Sequence, residues 1–160
     1  MITADELKIR EFKSTDEELV QSFFDNMGPE SVHFFNRNGG NTRAALQAVR
    51  GELENAKFWM AEEMTENGPK MAGYVFLWDL NKSIPWFGIA VADEWKGRRL
   101  GTKLIRHAID YCKDNAYGGI LLTTVIENVA AQKLYEKHGF ENQGIYKNNI
   151  EYTYVLRFDR

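Results

Sequence analysis

The sequence predicts a single domain of the mixed α/β class, and three features of the chain indicate this. Its 160 residues match the usual size of one domain and suffice to bury a core. Hydrophobic residues make up 44% and charged residues 27% of the chain, as in ordinary globular proteins. Short apolar or alternating runs, typical of strands, are interleaved with segments of helical periodicity. We therefore treat residues 1–160 as one domain.

The first third of the chain predicts one strand followed by two helices. Residues 7–12 alternate apolar and charged side chains, a pattern typical of a half-buried strand. Ser14 and Glu17 match a capping box, which predicts that the first helix begins there. That helix should end at Met27-Gly28-Pro29. The segment 29–41 then precedes a second helix, predicted over residues 42–54.

The middle and the end of the chain predict the remaining strands and two more helices. Strands at 57–62 and 71–78, joined by an Asn-Gly-Pro turn, and a third strand at 87–92 suggest an antiparallel meander. The strand at 120–126 follows the helix that begins at Leu100, which predicts a right-handed parallel crossover. A short helix over 128–138 and a closing hairpin of residues 140–146 and 150–158 complete the chain.

The central stretch from Trp86 to Leu104 is a strand, a polar turn with two glycines, and the start of a helix. The first amides of a helix lack intrahelical partners and lie at the positive end of its dipole. Glycine lets a bulky anion approach the backbone, so such a turn is suited to phosphate. Five cations cluster there: Lys96, Arg98, Arg99, Lys103 and Arg106. The alternative is a plain strand-to-helix turn beside a solvated basic helix face.

Residues 96–101 (KGRRLG) and 128–140 (NVAAQKLYEKHGF) resemble the two signatures of the GNAT superfamily of acyl-CoA-dependent N-acyltransferases. The order of predicted elements also matches that family over essentially the whole chain. One position departs from the pattern, because Arg99 stands where the middle glycine usually occurs. An arginine suits that position if the residue is already helical, and does not suit it if φ must be positive.

The resemblance implies a six- to seven-stranded, mostly antiparallel sheet, splayed between strands 4 and 5, with about four helices. It implies acetyl-CoA as co-substrate and no metal, with the pantetheine arm paired to the fourth strand. The residues that it assigns to the cofactor are Ile89, Ala90, Val91, Lys96, Gly97, Arg98, Arg99, Leu100, Gly101, Thr102, Asn128, Ala131 and Tyr135.

The resemblance also implies roles in the chemistry. Tyr135 occupies the position of the general acid that protonates the departing thiolate; considered alone, it would be packing on an apolar helix face. An amide of residues 89–91 would stabilise the oxyanion. The fourth strand carries no acid, so the general base stays open between a water chain, His33 and five carboxylates. These carboxylates are Glu62, Asp79, Glu94, Glu127 and Glu151.

Four residues are candidates for contact with the acceptor. The segment 29–41 matches the region where relatives build the wall of the acceptor site. There, Phe34 is one candidate, and Arg37 would pair with a substrate carboxylate unless it is a solvated loop charge. Glu62 and Glu127 are the other two candidates.

These features predict an N-acetyltransferase that acts on a primary amine of a small molecule, protein or peptide through a ternary complex. The alternative is a non-catalytic acyl-CoA-binding sensor or interaction module on the same fold. A net charge of −3 disfavours nucleic-acid binding, and no apolar window reaches the length of a membrane span. With one cysteine, Cys112, and no secretory signal, we expect a cytoplasmic protein. A homodimer stays open.

Overall fold

The computed structural model describes residues 2–159. Over that range the chain forms seven strands and five α-helices, one more helix than expected. In chain order these are β1 (Lys8–Glu11), α1 (Glu17–Asp25), α2 (Pro29–Phe35), α3 (Gly40–Val49), β2 (Lys57–Thr65), β3 (Gly68–Trp78), β4 (Trp86–Val91), α4 (Leu100–Asp114), β5 (Gly119–Val125), α5 (Val129–Lys137), β6 (Glu141–Ile145) and β7 (Glu151–Arg157).

All seven strands belong to one sheet, in the order β1-β2-β3-β4-β5-β7-β6. Every neighbouring pair is antiparallel except β4 and β5, which run parallel. The parallel pair has a single register contact, between Trp86 and Leu121. Beyond Trp86 the two strands separate, so the predicted mixed sheet, splayed between strands 4 and 5, is confirmed.

Each face of the sheet has its own apolar layer. Along β3, Val75 and Leu77 pack with α4, whereas Tyr74 and Phe76 pack with α1 and α3. This follows from the two-residue period of a strand, whose side chains alternate between the faces. The stretch from Leu100 to Cys112 provides the buried stripe of α4 that the periodicity predicted. Among residues 2–159, no helix has both the length and the apolar character needed to cross a bilayer.

The predicted capping box at Ser14 is wrong. The first helix begins at Glu17, with Asp16 as its cap residue, and no side chain caps its amides. Asp16 is buried, and its carboxylate accepts hydrogen bonds from both Arg10 Nη atoms at 2.8 and 2.9 Å and from the Lys13 amide at 2.7 Å. Burial alone would raise the pKa of Asp16, but these donors hold it below its ordinary value. The start of α1 is therefore fixed to β1 by a buried ion pair.

The segment 29–41, expected to separate two helices, contains a helix of its own. Pro29 is at the first position of α2, where its fixed φ suits a helix and its missing amide is not needed. A one-turn helix follows, in which Asn38 has φ of 68°. The next helix, predicted over 42–54, ends at Val49 because Gly51 takes a φ of +70°.

Candidate functional site

A cleft of about 690 Å³ opens where β4 and β5 separate. It is lined by β4, the first turn of α4, the first two turns of α5, and α2. Twelve of the thirteen residues that the sequence assigned to the cofactor line this cleft. They are Ile89, Ala90, Val91, Lys96, Gly97, Arg99, Leu100, Gly101, Thr102, Asn128, Ala131 and Tyr135.

The glycine turn before α4 leaves its backbone open to the cleft. Gly97 has a φ of +73°, and a Cβ added there would meet nothing within 4 Å. Among residues 2–159, no side chain caps α4, whose first amides therefore retain their capacity to donate to an anion. A Cβ on Gly101 would come within 3.2 Å of Leu134 Cδ2. Gly97 thus keeps the turn open, and Gly101 lets α4 and α5 lie close together.

The structure shows the conformation of Arg99, the one residue that departs from the glycine pattern. It is the cap residue of α4 and lies in the left-handed region, with φ of 69° and ψ of 11°. Non-glycine residues adopt that region only at an energetic penalty of about 1–2 kcal/mol. The position therefore has the geometry of the glycine that it replaces, and the arginine is held there under strain. Its exposed side chain lines the cleft.

Most of the basic cluster is bound to the protein itself. Arg98 does not line the cleft: its guanidinium stacks on the Trp95 ring at 3.7 Å and donates to the carbonyl oxygens of Ile2 and Glu94. Lys103 donates to carbonyl oxygens near the N-terminus, including that of Ala4 at 3.0 Å. The side chains of Arg98 and Lys103 are therefore engaged in contacts within the protein.

Lys96 joins the turn to α2. Its Nζ lies 3.1 Å from Asp93 Oδ1 and also donates to Ser31 Oγ. Asp93 in turn accepts from Ser31 Oγ at 2.7 Å and from the Gly28 amide at 2.8 Å. Chiefly because Ser31 donates to it, the pKa of Asp93 is lowered from its ordinary value. One carboxylate therefore connects the glycine turn before α4 with the start of α2.

Asn128, the cap residue of α5, and Tyr135, within that helix, both line the cleft. Asn128 Oδ1 accepts from the Ala131 amide at 3.3 Å, so this asparagine caps the helix. Tyr135 is 7% exposed, and its ring packs on Phe87, Phe140 and Tyr154 with centroids 5.7–6.2 Å apart. Burial raises the pKa of its phenol. Tyr135 is thus a packed residue and also one that faces the cleft.

The sequence model of the acetyltransferase (GNAT) family matches residues 16–140. This chain is a member of the GNAT acetyltransferase family. The fold agrees: a Methanocaldococcus jannaschii domain superposes with a TM-score of 0.78 and 21% identity over 96% of this chain and 99% of that one. A spermidine N-acetyltransferase of Vibrio cholerae, solved with CoA and spermine, gives 0.78 and 18% over 97% of each chain.

Curated relatives match over part of the chain. A protein described as a putative ribosomal protein bS18-alanine N-acetyltransferase of Bacillus subtilis is 34% identical over 52% of this chain and 55% of its own length. An L-amino acid N-acetyltransferase of Escherichia coli is 41% identical over 44% of this chain and 41% of its own. The chain therefore spans about half or less of the length of these two relatives.

In this GNAT domain, one of the five carboxylates considered as base lines the cleft, and it is Glu151. Its Oε1 accepts from Asn148 Nδ2 at 2.6 Å, which orients the carboxylate. The other four have partners elsewhere. Glu62 pairs with Arg10 at 3.0 Å, Asp79 with Lys82 at 3.7 Å, Glu94 with Lys70 at 3.6 Å, and Glu127 lies 3.6 Å from His33.

The predicted acceptor residues are therefore brought together only in part. Phe34 lines the cleft, whereas Arg37, Glu62 and Glu127 do not. Arg37 turns back along its own segment and donates to the His33 carbonyl oxygen from Nε at 3.3 Å and Nη2 at 3.2 Å. Glu62 lies on β2, next to the β1 edge of the sheet, and is held there by its ion pair.

Sequence reasoning missed several residues of this GNAT cleft. Its aromatic lining includes Phe35, Phe76, Trp78 and Trp86, and Glu30 adds a second carboxylate. The two-residue spacing of Phe76 and Trp78 could have placed both on one face of β3. The sequence does not show that this face opens into the cleft.

Proposed function

We propose that this GNAT domain transfers an acetyl group from acetyl-CoA to a primary amine of a small molecule or peptide, through a ternary complex. One observation carries the proposal: the glycine turn of α4, the edge of β4 beyond Trp86 and Tyr135 all face the same cleft. A turn that favours anions, a strand edge without a strand partner and a buried phenol are the parts that this reaction needs.

Different residues of the chain would stabilise the thioester carbonyl and transfer protons. When bound, acetyl-CoA supplies an activated acetyl thioester. Amides of Ile89 to Val91 would donate to the carbonyl oxygen as it gains charge. Glu151 would accept a proton from the acceptor ammonium, so that the neutral amine can form the new N–C bond. Tyr135 would donate its phenolic proton to the sulfur as the C–S bond breaks, and the phenolate would regain a proton from the nitrogen, which loses one as the amide forms. Glu151 would release its proton to solvent.

The test is a coupled thiol-release assay with acetyl-CoA and a panel of primary amines, with acetylated products identified by mass spectrometry. Calorimetry with coenzyme A measures binding independently of turnover. We expect both binding and amine-dependent thiol release. Binding without thiol release for any amine would favour the non-catalytic acyl-CoA sensor, and absence of both would contradict the proposal. A cytoplasmic location and a homodimer stay predictions.

A further inference from the structure

We propose that the acceptor is a primary amine attached to an aromatic or other large apolar group, with no carboxylate beside the amine. This inference rests on the proposed acetyl transfer and specifies its acceptor. Five rings carry it: Phe34 and Phe35 of α2, Phe76 and Trp78 of β3, and Trp86 of β4, all of which line the cleft. We call these five rings the aromatic wall.

Four rings of the aromatic wall form a connected series, from Phe35 to Trp86, and Phe34 lines the same cleft. The ring of Phe35 lies 6.4 Å from that of Phe76, which lies 6.4 Å from that of Trp78. Trp78 and Trp86 are direct register partners on neighbouring strands, so their side chains lie side by side on one face. Rings from a helix and from two strands thus surround a single volume, which fits the apolar body of an acceptor.

The aromatic wall reaches the position where acyl transfer is proposed. Trp86 and Tyr135 both line the cleft, whereas Phe87, the strand neighbour of Trp86, points to the opposite face and packs edge-on against Tyr135 with centroids 6.2 Å apart. Trp86 also marks the last contact between β4 and β5 before they separate. Because the wall and Tyr135 line the same cleft, we infer that an acceptor seated on the wall presents its amine toward the phenol that we propose as proton donor.

The charge at this end of the cleft is negative. The ring of Trp86 contacts that of Tyr146 at 6.0 Å, and the Tyr146 amide donates to the Glu151 carbonyl oxygen at 2.7 Å. The backbone of Glu151 is thus joined to the residue that contacts Trp86, and Glu151 lines the same cleft as the wall. Aromatic faces and a carboxylate both attract an ammonium group. The acceptor amine would therefore arrive as a cation and lose its proton there.

Among the described residues lining the cleft, the two cations belong to the glycine turn before α4, residues 96–99, which we call the phosphate turn because of its proposed role. They are Arg99 and Lys96, and the latter is paired with Asp93 at 3.1 Å. Arg37, predicted to bind a substrate carboxylate, donates instead to the His33 carbonyl oxygen. A carboxylate next to the acceptor amine would thus meet Glu151 and apolar rings, and like charges at short range oppose binding.

The experiment compares matched acceptors by thiol release and product mass. L-phenylalaninamide carries a neutral carboxamide in place of the carboxylate of L-phenylalanine, and L-alaninamide lacks the ring. We expect kcat/KM for phenylalaninamide to exceed that of phenylalanine and of alaninamide by at least about tenfold each. Spermidine, a cation without an apolar body, should also be at least about tenfold worse than phenylalaninamide.

Two variants distinguish the contribution of the aromatic wall to acceptor preference from that of the Glu151 charge. Trp78→Leu should raise KM for phenylalaninamide and leave that for alaninamide within twofold. Glu151→Gln should lower the preference for phenylalaninamide over phenylalanine by at least threefold, since the repelling charge is gone. Glu18→Gln, on the exposed side of α1, is the control and should leave the preference unchanged.

The outcomes that overturn the inference differ from those that overturn acetyl transfer. Equal or better use of phenylalanine than of its amide removes the charge argument, and equal use of alaninamide or spermidine removes the role of the wall. If no aromatic amine is acetylated while another amine is, the inference fails and acetyl transfer stands. If no amine is acetylated and coenzyme A does not bind, both fail.

Discussion

The ring of Phe76 lies directly over Gly88: a Cβ built on Gly88 would stand 2.0 Å from the ring atom Cζ. The two residues are register partners on β3 and β4, and Phe76 lines the cleft. A side chain at position 88 must therefore displace the ring. Gly88 determines the position of this part of the aromatic wall.

We expect Gly88→Ala to destabilise the fold by about 1–3 kcal/mol, as overpacking does, and to raise KM for the acceptor. Urea unfolding and steady-state kinetics measure the two effects. The double variant Gly88→Ala/Phe76→Leu should be more stable than the sum of the single changes predicts, because the smaller side chain removes the clash. Strictly additive effects would show that the ring moves aside freely.

Asp93 is expected to couple the acceptor side of the cleft to the cofactor side. Its carboxylate bonds with Ser31, Gly28 and Lys96, and so connects α2 with the phosphate turn. Asp93→Asn should therefore weaken coenzyme A binding and raise the acceptor KM together. Asp114→Asn, at the exposed end of α4, is the matched control. A change in only one of the two parameters would show that Asp93 acts locally.

The same carboxylate predicts a pH dependence. The pKa of Asp93 is lowered, chiefly by the hydrogen bond from Ser31. A group whose folded pKa is lowered contributes its stabilisation above its ordinary pKa and loses it as pH falls through the folded value. The contact should thus be intact at neutral pH and released only in acid. Titration of the wild type and Asp93→Asn by calorimetry with coenzyme A should show their affinities converging only at acidic pH.

Gly97 and Gly51 provide a matched pair for testing the phosphate turn. Both have positive φ, +73° and +70°, and a Cβ on either meets nothing within 4 Å. Alanine at each position should therefore cost a similar ~1 kcal/mol of stability through backbone strain alone. Only Gly97 lines the cleft, so Gly97→Ala should weaken coenzyme A binding by at least about tenfold, whereas Gly51→Ala should not. Equal affinities in the two variants would show that the turn does not approach the pyrophosphate.

Much of this fold could be predicted from the sequence, because strong periodicity over long elements leaves few alternatives. The fifteen residues of α4 show it well: the apolar stripe and the glycine turn before it both occur as predicted. The helix α2 was missed because seven residues are barely two turns, too short for a clear period. The prediction of a cap at Ser14 was wrong because the sequence matched a cap motif, whereas the buried ion pair between Arg10 and Asp16 determines where the helix starts.

The site was less predictable where it depends on contacts between distant segments. Glu151 could be listed as an acid, but its place in the cleft follows from the pairing of β7 with β5, where it lies opposite Val125. Nothing in the sequence distinguishes it from Glu62, which has a partner in Arg10. The positive φ of Arg99 likewise depends on how the turn enters α4. The sequence shows which chemical groups are available, but the tertiary structure determines where each side chain points.

Tyr135→Phe is the sharpest test of the chemistry, because it keeps the ring contacts with Phe87 and Phe140 and removes only the hydroxyl. If the phenol is the general acid, coenzyme A affinity should be near normal and kcat lower by about 10²-fold, equivalent to ~2.7 kcal/mol of barrier. The matched control is Tyr154→Phe, which removes a hydroxyl that donates to Glu136 at 2.7 Å outside the cleft. It should alter stability and keep turnover.

The pH profile of Tyr135→Phe adds a second measurement. Because burial raises the pKa of Tyr135, the phenol stays protonated beyond the ordinary tyrosine value of ~10 and can still donate in mildly alkaline solution. Any fall in rate caused by its ionisation should therefore begin only at higher pH, and should be missing from the Phe variant. If Tyr135→Phe turns over within threefold of wild type when chemistry is rate-limiting, the phenol is packing, and the proton for the thiolate comes from water or another side chain.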